Sequence, residues 1–343
     1  MSKWKKLLSA ALVTGMVCSM PGFSAFAAEV AQAAAGDFVV LSDADDGQNR
    51  YLTTPNSNAF NVFMYNNTFS GTFGDQHMAG IELSMHGYRI ATNGDIHLLP
   101  TPEQWDATPA PSVDKEGSGW FAPTKKQFDE ATNTVTVPMT YKPNDESQLT
   151  YKLVASPTSD GVRLQVILTS DLPEDLAGKA RFNLEFIPSK YQSKSYQADT
   201  NDDGIYDDFG TFPLHPQDDM EETERADLDQ EWYVQEWNED RGNAQPVAFA
   251  TGYGFTFAPE DEDYHISIDS ELGEMELFDG RNRAQNGWYV LSSLIESGKS
   301  GDVVVDWVIR PDVHEDWVRG PVIGFSQAGY SPPQDKFAVI ELG

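Results

Sequence analysis

The sequence predicts an all-β protein, a large antiparallel β-sandwich with long loops and few short helices. Three observations lead there: apolar and polar residues alternate with a period of two, turn signals bound the alternating runs, and amphipathic stretches of helical period are nearly absent.

The N-terminus stands apart from that pattern. Lys3, Lys5 and Lys6 precede an apolar run from Leu7 to Met20, and Ala25-Phe26-Ala27 follows. Basic, apolar and small-residue regions in that order make a secretory signal peptide cut after Ala27, so residues 1–27 are expected to leave a secreted, extracellular protein. A lipid anchor on Cys18 is the competing reading, and Val17 speaks against it where a small residue is needed. Cys18 is the one cysteine, so the mature chain makes no disulfide although export permits one. Its stability must come from burying a core. Residues 28–36 form an Ala-rich spacer without strand or turn signals, expected to be disordered.

Residues 37–318 carry the strand patterns of the sandwich domain. Val135, Val137, Met139 and Tyr141 alternate with threonines, and Val162, Leu164, Val166 and Leu168 alternate with Arg163, Gln165 and Thr169. Every second side chain then lies on one face, which makes each run a half-buried strand. Further strands are expected at Leu149–Ala155, Ala180–Ile187, Val247–Phe257, His265–Ile268, Met275–Phe278, Trp288–Leu294 and Val303–Ile309. The last is almost continuously apolar and is expected to lie centrally between two sheets. Ser159-Asp160-Gly161 supplies a hairpin turn, and Asp279-Gly280 a second turn. Two stretches read as irregular: Pro100 to Pro123, rich in proline, and Tyr191 to Arg241, acidic with few apolar residues. Short helical turns are expected near Asp218–Ala226 and His314–Val318.

The chain holds 23 basic and 54 acidic residues, a formal charge of −31. Losing the leader removes three lysines and no acid, leaving 20 against 54, or −34. That field repels phosphate backbones and anionic lipid heads, so nucleic acid and membrane surfaces are excluded as expected partners. Neutral polymers and cations remain.

The sharpest local motif runs from Asp199 to Asp208. Calcium takes six to eight oxygens at short range. Asp199, Asn201, Asp203, the carbonyl of Ile205, and Asp207 with Asp208 offer them around the tight turn of Gly204. The spacing resembles calcium loops of dockerin and thrombospondin type, and departs from the EF-hand where Gly210 replaces the bidentate acid, so that Asp208, Asp218 or Asp219 would have to complete the shell. A structural calcium ion is the reading set against a merely solvated acidic loop. Aromatic residues are the second signal, since sugar rings stack on them. Trp105 and Trp120 in the proline-rich stretch, and Trp232 and Trp237 in the acidic one, are the candidate carbohydrate contacts; Trp288 and Trp307 sit in strand patterns and are expected in the core. No G-x-S-x-G, phosphate loop or zinc-spaced histidine pair occurs, and abundant carboxylates prevent picking an acid–base pair.

Near the C-terminus, Ser326-Gln327-Ala328-Gly329-Tyr330-Ser331-Pro332 followed by Lys336, Ala338 and Val339 resembles the opening of the immunoglobulin-like domain that precedes the catalytic barrel of family nine glycoside hydrolases. His86–Asp95, Phe182–Pro188 and Leu277–Asn282 resemble the extra N-terminal β-domain of large bacterial members. The resemblance implies that residues 319–343 are the first strands of an immunoglobulin-like domain and that the parent protein hydrolyses β-glucan-like polysaccharide. The family's D-A-G-D motif and its barrel do not occur in this sequence, so no catalytic residue carries over. The implied role is a non-catalytic N-terminal accessory region, with polysaccharide and a downstream catalytic domain as partners. The alternative is a self-contained secreted carbohydrate-binding sandwich.

Overall fold

The structure, a computed structural model, describes residues 37–42, 50–55, 57, 59–66, 79–98, 126–141, 147–214, 248–281, 288–314, 316–318, 320–325, 331, 333 and 335–341. The expected leader and spacer, the proline-rich stretch, the turn at 218–226 and the tryptophans 105, 120, 232 and 237 lie outside these residues.

Among the described residues, twenty strands and one short helix follow in order: β1 Val40–Leu41, β2 Leu52–Thr53, β3 Phe60–Asn66, β4 Ala79–Met85, β5 Tyr88–Leu98, β6 Gln127–Asp129, β7 Thr134–Tyr141, β8 Leu149–Pro157, β9 Val162–Leu168, β10 Ala180–Phe186, α1 Pro188–Tyr191, β11 Ser195–Asp199, β12 Asp208–Thr211, β13 Ala248–Gly252, β14 Gly254–Phe257, β15 Ile266–Ser270, β16 Met275–Asp279, β17 Tyr289–Leu294, β18 Val303–Pro311, β19 Val322–Phe325 and β20 Ala338–Glu341. They build two nine-stranded sheets, ordered β1-β2-β3-β4-β5-β10-β17-β16-β13 and β12-β11-β14-β15-β18-β9-β8-β7-β6, with β19 and β20 pairing as a separate two-stranded sheet. The pairings are antiparallel.

The alternation read from sequence decides which side faces inward. In β9 the buried positions are Val162, Leu164, Val166 and Leu168, with the polar residues between them half-exposed. Side chains from the two sheets meet in one core: Phe182 of the first sheet crosses Trp307 of the second at 5.0 Å, and Phe186 crosses Phe257 at 4.9 Å. The indole nitrogen of Trp307 donates to Ser293 Oγ across the layers at 3.0 Å, so the buried polar atom has a partner. Strand β18 is fifth of nine in its sheet, the central place that its apolar run predicted. The turn Ser159-Asp160-Gly161 joins β8 to β9, closed by the Thr158 N–H on the Gly161 carbonyl at 3.0 Å.

Three expectations need correcting. The run 247–257 is two strands in different sheets, β13 in the first and β14 in the second, because the chain crosses the sandwich at Gly252-Tyr253-Gly254. A Cβ on Gly252 would stand 2.9 Å from the Asp199 carbonyl oxygen and one on Gly254 2.5 Å from Asp269 Oδ1, so the crossing is tight enough to need both glycines. The stretch from Tyr191 is not uniformly irregular either: it contains β11 and β12, whose alternation is short and masked by acidic neighbours. Trp288 is half-buried and precedes β17 instead of filling the core.

Candidate functional site

The outer faces of the two sheets differ. On the first, Asn93, Arg181, Glu185 and Ser292 are each no more than 5% exposed. Arg181 Nε donates to Ser292 Oγ at 2.6 Å, and Asn93 Nδ2 to Glu185 Oε2 at 3.0 Å. Arg181 also pairs with Glu276, and Ser292 Oγ donates to Asn183 Oδ1 at 2.5 Å, so this face carries a fixed polar network. On the second sheet Thr256 and Asp306 are buried too, and exposure is concentrated at the edge strand β12, with polar side chains of neighbouring strands arranged in register.

The edge of that face is organised by the hairpin β11–β12. Tyr196 and Ala198 point into the core, so Gln197 points out, directly opposite Phe209 of the edge strand β12. Gln197 also faces Thr256 of β14, Thr256 faces Ser267 of β15, and Ser267 faces Arg310 of β18. Directly opposed residues of paired strands share a face at about 5 Å spacing. Phe209, Gln197, Thr256, Ser267 and Arg310 therefore form one row across five strands. Phe209 is 68% exposed, the Thr256 and Ser267 hydroxyls are linked at 2.9 Å, and a cleft of about 450 Å³ bordered by Gln197, Phe209, Thr211, Pro259 and Glu260 opens at the Phe209 end. Glu260 Oε1 fixes one wall by accepting from the Ser195 N–H at 2.7 Å.

The other end of the row is held by charge. Tyr206 donates its hydroxyl to Asp269 Oδ1, Arg310 pairs with the other carboxylate oxygen, and Arg310 Nε reaches Asp160 Oδ2 at 3.0 Å. Burial, followed by the hydrogen bond to Asp269 and its charge, raises the Tyr206 phenol well above its usual range, so it stays a neutral donor. Beside it, Arg163 Nε donates to Asp306 Oδ1 at 2.6 Å and Gln165 Nε2 to Asp306 Oδ2 at 3.0 Å. The face thus presents oriented amide, hydroxyl, guanidinium and carboxylate groups beside an exposed aromatic ring.

The predicted calcium loop is the tip of the same hairpin. Asp199 is buried, and its carboxylate is filled by its own loop: Oδ1 accepts from the N–H groups of Asn201 at 3.1 Å and Asp203 at 3.3 Å, and Oδ2 from Gly204 at 2.7 Å. Asp203 Oδ1 accepts from Ile205 N–H at 2.9 Å. Asn201, Asp203, Ile205, Asp207 and Asp208 are exposed. Among the described residues no three histidine, cysteine or acidic side chains converge as metal ligands. Sequence reasoning missed Gln197, Phe209, Thr256, Ser267 and Arg310, whose only local signal was the alternation of Tyr196 and Ala198 with Gln197.

No family model matches the sequence, that of family nine glycoside hydrolases included. No curated protein matches it. Among solved structures the chain is similar to a heparan sulfate lyase from Pedobacter heparinus, at 10% identity and TM-score 0.31, covering 90% of this chain and 40% of that one. A heparinase III gives 9% identity and TM-score 0.34 with the same coverages, and a galactose mutarotase-like protein from Clostridium acetobutylicum gives 10% and 0.31, covering 80% of this chain and 99% of that one. The chain spans about 40% of the length of the two lyases. Scores this low assign no activity.

Proposed function

We propose that this chain is a non-catalytic accessory sandwich of a secreted polysaccharide-degrading hydrolase of the cellulase type, and that it contacts β-glucan-like polysaccharide through the outer face of the second sheet. The observation that carries the reading is the row Phe209, Gln197, Thr256, Ser267 and Arg310, because glycans are bound by stacking a sugar ring on an aromatic face while oriented polar groups take the hydroxyls. The strongly negative charge supports a neutral polymer over a polyanion. The C-terminal resemblance supports attachment to a downstream catalytic domain, and the basic, apolar and small-residue order of residues 1–27 supports export.

Depletion of the protein from solution by insoluble β-glucan tests the binding. Saturable depletion is expected, weakened about tenfold by Phe209→Ala, which corresponds to about 1.4 kcal/mol. Equal depletion of both proteins would remove the proposed face. Turnover of soluble β-glucan by this chain alone would overturn the non-catalytic part.

A further inference from the structure

The two-residue turn His86-Gly87 between β4 and β5 has φ of 50° and 79°. Two successive positive φ values define a tight hairpin turn in which asparagine, aspartate or glycine is favoured at the first position. Histidine is, with asparagine and aspartate, among the non-glycine residues that adopt this backbone, and at the turn it places a ring against the segment that follows β18. The ring is buried and lies parallel to the indole of Trp317, with centroids 4.9 Å apart and planes 6° apart. Its two nitrogens are both used. Nδ1 contacts the Asp263 carbonyl oxygen at 3.3 Å, and the His314 backbone N–H points to Nε2 at 3.3 Å. A carbonyl can only accept and an N–H can only donate, so these two contacts fix a neutral imidazole with the proton on Nδ1.

His314 and Trp317 belong to the segment that follows the last sandwich strand and leads to the β19–β20 hairpin. Apart from the His86 contacts, Trp317 Nε1 donates to Asp263 Oδ1 at 2.6 Å, Tyr88 meets the indole edge-on at 6.1 Å, and Asp312 pairs with His265 at 3.0 Å. We propose that residues 312–314 and 316–318 belong to a strap latched to the sandwich by neutral His86, and that protonation of His86 releases it.

A second proton on the ring would turn Nε2 from acceptor to donor and set it against the His314 N–H. The groups facing the ring are Asp263 from the 258–265 loop, and Asp312 and His314 from the strap itself; the carboxylates favour the extra proton, and a charged His314 opposes it. Burial outweighs the carboxylates and holds His86 below the usual histidine range. The folded chain therefore binds this proton more weakly than the unfolded one. The latch contributes fully above the unfolded value of about 6.5 and is lost as pH falls from there through the lower folded value.

The test is amide hydrogen exchange of the full chain over residues 312–318 at about pH 8 and about pH 5, each corrected for intrinsic rate, together with ring nitrogen NMR of His86. The expected results are a neutral ring protonated on Nδ1 and strap exchange that accelerates about tenfold or more between the two conditions. In His86→Asn, which suits the turn backbone, the strap should exchange fast at both pH values while the sandwich strands stay protected. Strap exchange independent of pH in the unmodified chain, or a His86 ring already protonated at the higher pH, would overturn the proposal.

Discussion

A methyl group at position 210 would stand 2.1 Å from the phenol ring of Tyr196, so this position in the edge strand holds glycine for space and not for backbone freedom. Tyr196 is buried, and its ring packs at 5.8 Å from both Phe212 and Phe249 and cannot move aside without repacking the aromatic core. Gly210→Ala should therefore destabilise the fold by about 1–3 kcal/mol, read as a lower denaturant midpoint with an unchanged slope. An unaltered midpoint would mean that Tyr196 is not seated as described. At this scale the sequence was legible where burial follows from a strand pattern: Trp307 is fully buried, as its place in the apolar run Val303–Ile309 indicated. It was not legible where a turn ends the pattern, as at Trp288. Nor could spacing alone have selected His86, because its partner Trp317 lies more than two hundred residues away.

Among the elements, the β11–β12 hairpin joins a feature the sequence singled out, the Asp199–Asp208 loop at its tip, to one it did not, Gln197 and Phe209 on its strands. A structural calcium ion at the tip remains a proposal, with Asp199, Asn201, Asp203, Ile205, Asp207 and Asp208 as its donors. If it binds, the ion stabilises the folded chain by mass action, so chelator should lower the melting temperature and Asp203→Ala should abolish the difference. A melt unaffected by excess chelator would leave the loop as a backbone-capped turn. The hairpin itself was hidden in the sequence because only Tyr196 and Ala198 mark its inward face, too few to outvote the surrounding acids. The first five strands escaped for a different reason. In β5 one extra residue near Asn93 shifts the alternation, since Asn183 of β10 faces Asp95 while Glu185 faces Thr92. Across 79–98 the period-two signal is therefore broken and rejoined.

Taken as a whole, the molecule is a sandwich whose inward faces were written in the sequence and whose proposed binding face was not. Inward positions repeat within one strand, so a local pattern reveals them. The row from Phe209 to Arg310 is assembled from five strands over more than a hundred residues, and only the register of their pairing brings it together. Exposed Phe209 at the edge of the second sheet, beside the cleft it borders, makes a directional prediction about where a glycan lies. Hydrogen exchange of the full chain, with and without a soluble β-glucan oligosaccharide, tests it most directly. The account predicts slowed exchange in β11, β12 and β14 with β5, β10 and β17 unchanged, and little sensitivity to salt because the ligand is neutral. Protection confined to the first sheet, or none at saturating oligosaccharide, would contradict it.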